Sequence, residues 1–218
     1  MPAEVETQPA LHQAISDTHL TRSRQSAPLD LARLERLVLT GFMGAGKSTV
    51  GRQLAGRLGW DFVDLDELIQ SRAGLTVPAI FSQCGESHFR KLESQALAAA
   101  LGRRNILLAL GGGAPEILTN RLLIEQTPAT ATIFLDAPFS TLFDRCMLQA
   151  LNTPAAGTQP TELRPLLADP ATAEARFIAR RPIYRRLARL AVDTSSLSTE
   201  EAVDAILSAL RPRSSART

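Results

Sequence analysis

The chain has 218 residues, of which 44% are hydrophobic, so it can build one sizeable core, and a single folded domain with tails is predicted. Its 24 basic and 22 acidic residues leave a formal charge of +2, which excludes a broadly basic surface for nucleic acid. No apolar run approaches the roughly 20 residues of a membrane span, and the start shows no secretory signal. Two cysteines are too few for a disulfide framework and suit a reducing compartment. Taken together, these properties lead us to expect a soluble, cytoplasmic monomer.

The two ends of the chain differ in character from its middle. Residues 1–33 are polar with little apolar periodicity and are expected to form a disordered extension, and residues 212–218 form a polar tail. Residues 34–211 are expected to fold. Five β-rich runs occur there, namely RLVLTGF, WDFVDLD, NILLAL, ATIFLDA and LAVDT. They alternate with helical patterns, which predicts an α/β fold with a parallel sheet covered on both faces.

The helical patterns that separate these runs follow one another along the chain. They are KSTVGRQLAGRLG, the short pieces DELIQSRAG and VPAIFSQCG, the longer SHFRKLESQALAAALG, then ILTNRLLIEQ, PFSTLFDRCMLQ, AEARFIARRPIYRRLA and TEEAVDAILSAL. We expect the helix containing RRPIY to be interrupted near Pro182. The stretch ALNTPAAGTQPTEL is rich in Pro, Gly and Thr, which predicts a mobile loop.

A glycine-rich turn joins the first predicted strand to the first predicted helix. Its residues 41–48, GFMGAGKS, match the phosphate-binding pattern G-x-x-x-x-G-K-[ST]. Phosphate oxygens must approach several backbone N–H groups at once, and larger side chains would block that approach. Lys47 can reach the β- and γ-phosphates, and the Ser48 hydroxyl can ligate Mg²⁺. The motif therefore predicts an ATP site that includes Gly44, Ala45, Gly46, Lys47, Ser48 and Thr49.

Two aspartates end the second predicted strand. Asp64 and Asp66 are two residues apart, so in extended backbone both carboxylates face one side and can point into a cleft beyond the strand. One of them could hold Mg²⁺ through water, and the other could take a proton from an attacking hydroxyl group. Either could instead cap the helix DELIQ. The residues alone do not decide which aspartate holds the metal, which accepts the proton and which caps the helix.

Glycines and arginines supply candidates for binding the second substrate. Three glycines, residues 111–113, follow the third strand and favour close approach of the backbone to a ligand, although a plain turn also fits. Arginine binds carboxylate and phosphate through two parallel hydrogen bonds. Any one arginine is more often a solvated surface group, so only their context selects the candidates Arg90, Arg164, Arg180 and Arg181.

Taken together, these motifs resemble the shikimate kinase family, in the nucleoside monophosphate kinase group of P-loop folds. The series GFMGAGKSTVGRQLA, FVDLDELI, FRKLE, LGGG, RPLL and RRPIY occurs in that order and spans about residues 36–211. The resemblance implies a three-layer α/β/α fold with a five-stranded parallel sheet of order 2-3-1-4-5, a lid and a small substrate-binding helical region. It implies ATP-dependent phosphorylation of the 3-hydroxyl of shikimate, in the route to chorismate and aromatic amino acids, with Mg²⁺ as cofactor.

The resemblance also implies roles for individual residues. Lys47 is similar to the catalytic lysine of the phosphate loop, and Ser48 with Asp64 to the Mg²⁺ ligands. Asp66 resembles the acid that binds the acceptor hydroxyls and serves as the candidate base, and Arg164 the catalytic lid arginine that contacts ATP. Glu93 resembles the acid that orients the first substrate arginine, and Phe81 and Phe89 resemble apolar walls. The other shikimate-binding residues would be Arg90, Gly111, Gly112, Gly113 and Arg180.

The chain departs from the family pattern near the expected lid. The segment 145–164 is longer than the usual lid, so Arg145 or Cys146 could take the position that stacks on adenine, beside a base-binding loop at residues 192–194. The three glycines are followed by Ala114 and Pro115 instead of the usual pair. Two alternative functions are a non-catalytic ligand-sensing module of the same fold and a related kinase for a substrate such as gluconate.

Overall fold

The structure is a computed structural model that describes residues 19–22, 29–152 and 169–211. Its strands are β1 (Leu20–Arg22), β2 (Arg36–Thr40), β3 (Asp61–Asp64), β4 (Ile106–Ala109), β5 (Thr130–Asp136) and β6 (Leu190–Asp193). Its α-helices are α1 (Lys47–Leu58), α2 (Leu65–Ala73), α3 (Val77–Leu101), α4 (Leu118–Gln126), α5 (Phe139–Asn152), α6 (Pro170–Leu187) and α7 (Thr199–Leu210). Short 3₁₀ turns lie at Leu31–Arg33 and Ala114–Glu116.

The strands form one sheet in the order β1-β6-β5-β2-β4-β3. Strands β2 to β6 are parallel, and counted from β2 they lie side by side as second, third, first, fourth and fifth. The prediction of five strands is corrected to six, because β1 pairs antiparallel with β6, with Leu20 opposite Val192. Three residues in a polar segment are too few to show an alternating pattern, so this strand could not be predicted from its residues.

Part of the predicted extension therefore belongs to the fold. Besides β1, Leu29 packs into the core with 3% of its surface exposed. Disorder was expected throughout residues 1–33, and that expectation does not apply to residues 20–22 and 29–33. Residues 1–18, 23–28 and the tail at 212–218 lie outside the described residues. So do residues 153–168, which contain Arg164 and most of the predicted lid.

The core has two parts, one on each face of the sheet. Strand β2 is buried along its whole length, and its alternate residues serve opposite layers. Leu37 and Leu39 pack in the cluster that includes residues of α1 and α7, whereas Val38 packs in the cluster that includes residues of α2, α3 and α4. The result is a three-layer α/β/α domain. Within the described residues, none of the helices has the length and apolar character required to cross a bilayer.

Glycine and proline positions fit the helix pattern with two differences. Helices α1 and α2 end at Gly59 and Gly74, both in the left-handed conformation. The two pieces predicted before and after Gly85 form one helical element, α3, with a kink at that glycine, where φ is 79° and ψ is 169°. Helix α6 continues through Pro182, where an interruption was expected. Tertiary contacts of Arg181 and Tyr184, on either side of this proline, offset its local penalty.

Two glycines of α1 provide a test of helix-to-sheet packing. Gly51 is buried, and a Cβ atom there would overlap the Phe62 ring and lie 3.1 Å from Leu107, whereas Gly56 has no neighbour within 4 Å. We expect Gly51→Ala to lower the free energy of unfolding by about 1–3 kcal/mol, because overpacking outweighs the gain in helix propensity. Gly56→Ala, the matched control, should raise it by about 0.5–1 kcal/mol. Urea denaturation measures both, and equal effects would contradict this packing argument.

Candidate active site

The phosphate-binding loop lies between β2 and α1, at the carboxyl edge of the sheet. Gly44 and Gly46 have φ values of 74° and 84°, which favour glycine. Space is also limiting, because a Cβ atom on Gly41 would lie 2.6 Å from the Leu135 carbonyl oxygen and one on Gly44 would overlap the Leu142 carbonyl oxygen. The glycines therefore let the loop pack against β5 and α5, in addition to exposing backbone N–H groups.

Lys47 and Ser48 begin α1 and point toward the loop and toward β3. Lys47 Nζ donates hydrogen bonds to the carbonyl oxygens of Gly41 at 2.9 Å and Phe42 at 3.0 Å. The Ser48 hydroxyl donates to Asp64 Oδ2 at 2.7 Å. The other Asp64 oxygen, Oδ1, accepts from the backbone N–H groups of the first turn of α2, so Asp64 also caps that helix. Capping and pairing with Ser48 are thus not alternatives for Asp64.

The pair of Ser48 and Asp64 fits a magnesium ion that arrives with a nucleotide. Mg²⁺ keeps several waters and usually takes only one or two protein oxygen ligands beside the substrate phosphates. Among the described residues, no group of three or more His, Cys, Asp or Glu side chains could hold a metal. A hydroxyl and a carboxylate beside the phosphate loop are therefore the right donors in the right number for such an ion.

Asp66 lies between the phosphate loop and the first of the three glycines. A Cβ atom on Gly111 would be 2.6 Å from Asp66 Oδ1, so this glycine leaves room for the carboxylate. Burial raises the pKa of Asp66 above its ordinary value, and the negative charge of Asp64 adds to the rise. The positive charges of Lys47 and Arg90 oppose it. Asp66 is therefore a half-buried carboxylate that two cations, Lys47 and Arg90, influence.

The last of the three glycines after β4 makes room for an arginine. A Cβ atom on Gly113 would lie 2.5 Å from Arg90 Nη1, whereas one on Gly112 would make ordinary contact, 3.7 Å from Arg180 Nη1. Neither glycine has a left-handed φ, so close packing against Arg90 is what favours glycine at position 113. The Tyr184 hydroxyl donates to the Gly112 carbonyl oxygen at 2.6 Å and ties the loop to α6. The sequence left a plain turn open, and the structure shows a turn that also packs two guanidinium groups.

Arg90 is fixed by acids of its own helix. Its Nη1 donates to Glu93 at 2.9 Å and its Nη2 to Glu86 at 3.0 Å. Glu93 is 1% exposed, and burial raises its pKa while the positive charge of Arg90 opposes the rise. The rings of Phe89 and Phe81 lie 4.6 Å apart, and Arg90 lies over the first of them. Glu93 is therefore paired with Arg90, the arginine that the resemblance linked to it.

The structure separates the two neighbouring arginines of α6. Arg180 Nη2 pairs with Glu116 at 2.6 Å beside the glycine loop. Arg181 points away from the glycine loop and donates hydrogen bonds to Asp136, at the end of β5, from Nε at 3.0 Å and from Nη2 at 2.9 Å. Arg185 also donates to Asp136, at 3.1 Å. Arg180 is consequently the arginine that can reach an acceptor beside Gly112, and Arg181 anchors α6 to the sheet.

The part of the cleft that was expected to bind the base lies between α5 and the loop after β6. Arg145 Nη2 donates to the Thr194 carbonyl oxygen at 2.6 Å and to the Ser195 carbonyl oxygen at 3.3 Å. Cys146 is fully buried, and its Sγ would be 3.0 Å from a Cβ atom on Gly44. A buried thiol under the phosphate loop has no face to offer an adenine ring, so Arg145 is the better candidate of the two.

Three residues around the acceptor end were not among the predicted site residues. Tyr184 and Glu116 both lie within or beside quoted motifs, RRPIY and LGGG, where a polar side chain is a usable signal. Asp136 follows a buried strand and had no such signal, because its arginine partners are 45 and 49 positions away. The prediction for Arg164 concerns a residue outside the described part of the chain.

The raised pKa of Asp66 yields a prediction about stability. Because the folded-state pKa is raised, the stabilising contribution of this group is full below the ordinary aspartate pKa and is lost as pH rises through the folded value. We therefore expect Asp66→Asn to raise the free energy of unfolding at pH 7, with a smaller gain near pH 4. Urea denaturation without nucleotide or Mg²⁺ measures this, with the exposed Asp61→Asn as control. A less stable Asp66→Asn protein at pH 7 would contradict it.

Comparisons with known proteins agree on one family. The shikimate kinase family model matches residues 43–211. The shikimate kinase of Bordetella avium is 39% identical over 178 residues, covering 80% of this chain and 78% of that protein. The shikimate kinase of Thermobifida fusca is 40% identical over 173 residues, covering 78% and 91%.

Solved structures give the same result. Shikimate kinase from Acinetobacter baumannii in complex with shikimate has a TM-score of 0.67 at 32% identity, covering 80% of this chain and 91% of that one. A gluconokinase from Sinorhizobium meliloti has a TM-score of 0.52 at 20% identity, which shows a shared fold alone. With its phosphate loop, its paired aspartates and its two arginines beside the glycine loop, this chain belongs to the shikimate kinase family and is a kinase.

Proposed function

We propose that this protein transfers the γ-phosphoryl group of ATP to the 3-hydroxyl of shikimate, giving shikimate 3-phosphate for chorismate and aromatic amino acid synthesis. One observation carries the proposal. Asp66 and Arg90 both pack against the glycines after β4, and Asp64, two residues before Asp66, is hydrogen-bonded to Ser48 of the phosphate loop. A small acid with hydroxyl groups needs this arrangement, with arginines for its carboxylate and a base for the reacting oxygen.

For the donor, we assign ATP to residues 44–49, where the N-terminus of α1 adds partial positive charge to the loop. Lys47 offsets negative charge on the β- and γ-phosphates as the bond to the leaving oxygen breaks. Arg145 is assigned to the adenine end on the strength of its bonds to the loop after β6. Arg164, just past the longer lid segment, is assigned to the phosphates by family resemblance.

We assign Mg²⁺ to Ser48 and Asp64, which would hold it beside the phosphate loop, where it would supply positive charge against the phosphates of the nucleotide. Hydrogen bonds within the protein hold these two side chains in place. The bond from Ser48 to Asp64 holds both donors on one side of the loop, and the capping bonds keep the carboxylate from rotating. Preorganised donors of this kind need no rearrangement when the phosphoryl group moves.

For the acceptor, we assign the shikimate carboxylate to Arg90 and Arg180, and its ring to the space beside Gly111, Gly112 and Gly113. Phe81 and Phe89 supply an apolar wall. Asp66 then accepts the proton of the 3-hydroxyl as its oxygen attacks the γ-phosphorus and ADP leaves. A raised pKa brings this carboxylate closer to working pH, which makes it a stronger base than an ordinary aspartate. We further propose a cytoplasmic monomer, as the composition and the two cysteines led us to expect.

The function is tested by ADP release from purified protein with ATP and Mg²⁺, with shikimate, gluconate or no acceptor added. We expect release that requires shikimate. Turnover with gluconate instead would select the related kinase and contradict the assignment of the arginines. Binding of shikimate without turnover would select the ligand-sensing alternative.

The base is tested by Asp66→Asn. We expect kcat to fall by at least about 100-fold, the lower end for loss of a general base, because the amide cannot accept the proton. Asp61→Asn is the matched control, because Asp61 is an exposed aspartate at the start of β3 that pairs with Arg103, and this variant should keep its rate. Near-wild-type kcat in Asp66→Asn would remove Asp66 from this role.

A further inference from the structure

We infer that Glu116 is a positioning residue that holds the guanidinium group of Arg180 in the orientation that binds the acceptor carboxylate, and thereby sets the affinity for shikimate. The inference deepens the proposed function and rests on it. Glu116 lies outside the phosphate loop, the paired aspartates and the glycines, and its neighbourhood in the sequence differs from the family pattern in having Ala114 and Pro115 before it.

The contact joins two separate elements of the fold. Glu116 ends the 3₁₀ turn that follows the glycine loop, and Arg180 projects from α6. Arg180 Nη2 and Glu116 Oε2 are 2.6 Å apart. The arginine side chain is 11% exposed, whereas that of the glutamate is 40% exposed. A charge-assisted bond to a largely buried guanidinium restricts its rotation more than a bond on an open surface would.

The guanidinium still has an unused donor. Within the described residues, Arg180 Nε is buried and has no hydrogen-bond partner. Leaving a buried N–H group without a partner costs about 1–3 kcal/mol. The presence of this N–H group therefore suggests that a bound ligand supplies its hydrogen-bond acceptor. Glu116 engages Nη2, and Nε remains available to an oxygen of an incoming carboxylate.

Glu116 is held in place independently of Arg180. Asn120 of α4 donates to the Ala114 carbonyl oxygen at 3.0 Å, and Arg121 donates to the Glu116 carbonyl oxygen at 2.9 Å. Pro115 further restricts the backbone of the turn. Contacts with α4 fix the turn that carries Glu116. The carboxylate of Glu116 therefore orients the longer side chain of Arg180.

The two arginines assigned to the acceptor carboxylate therefore differ in how they are held. Arg90 is paired with Glu93 within a single helix, so its position follows that of α3 alone. Arg180 is paired across elements, so its position depends on the turn after β4 as well as on α6. Loss of Glu116 should release Arg180 without disturbing Arg90, the phosphate loop or the ATP contacts.

The test compares Glu116→Ala and Glu116→Gln with wild type in steady-state assays that vary shikimate and ATP separately. We expect Glu116→Ala to raise KM for shikimate about tenfold, with KM for ATP and kcat within about twofold of wild type. Glu116→Gln should restore most of the affinity, because its amide oxygen can accept the same hydrogen bond. Glu125→Ala, an exposed acid on α4, is the charge-matched control and should leave all three constants unchanged.

Calorimetric titration of shikimate and thermal unfolding accompany the kinetics. An unchanged KM for shikimate in Glu116→Ala would overturn the inference, and a lowered KM would show instead that Glu116 competes with the acceptor carboxylate. Equal rises in both KM values together with a lower Tm would indicate a merely structural role and also overturn it. Wild-type protein that neither binds nor phosphorylates shikimate would defeat the proposed function itself, which the Glu116 variants alone cannot do.

Discussion

The carboxylate of Asp64 is the contact on which the arrangement of the site depends. Strand β3, which ends at Asp64, is separated from β2 by β4, so the phosphate loop and the second strand are not neighbours in the sheet. One oxygen of Asp64 reaches across to Ser48, and the other begins α2. This single side chain therefore fixes the starts of α1 and α2 relative to each other. The position of Asp66, two residues further along the chain, follows from that of Asp64.

Around that contact, the domain concentrates charge that would be unfavourable in an ordinary core. Burial raises the pKa of both Asp66 and Glu93, which means that the fold opposes their ionised forms. Lys47, Arg90 and Arg180 offset part of this, and each of these cations has its own protein partner. A site built in this way is preorganised for a charged substrate, and the stability of the domain has to come from the two apolar layers beneath it.

Helix α6 links the acceptor end to the sheet. Arg181 and Arg185 bind Asp136 at the end of β5, and Tyr184 binds the Gly112 carbonyl oxygen, so the helix is fastened on both sides of Pro182. Asp136 also accepts, through its carbonyl oxygen, the Thr194 backbone N–H at 2.8 Å. The end of β5 consequently connects the element that carries Arg180 with the loop that lies next to Arg145.

The sequence by itself determined the features whose chemistry lies in consecutive residues. The phosphate loop, the three glycines and the apolar runs of the parallel strands are local patterns, and each occurs where it was predicted. The paired aspartates were expected to share extended backbone, but only Asp64 ends β3, and Asp66 lies in the first turn of α2 because Asp64 caps that helix. The tertiary structure decided whatever depends on partners distant in the chain. It paired Arg180 with Glu116 and Arg181 with Asp136, buried Cys146 and added β1 to an edge of the sheet. The periodicity of a sequence shows which face of a helix or strand is apolar. Which polar side chains come into contact depends on how the helices and strands pack together.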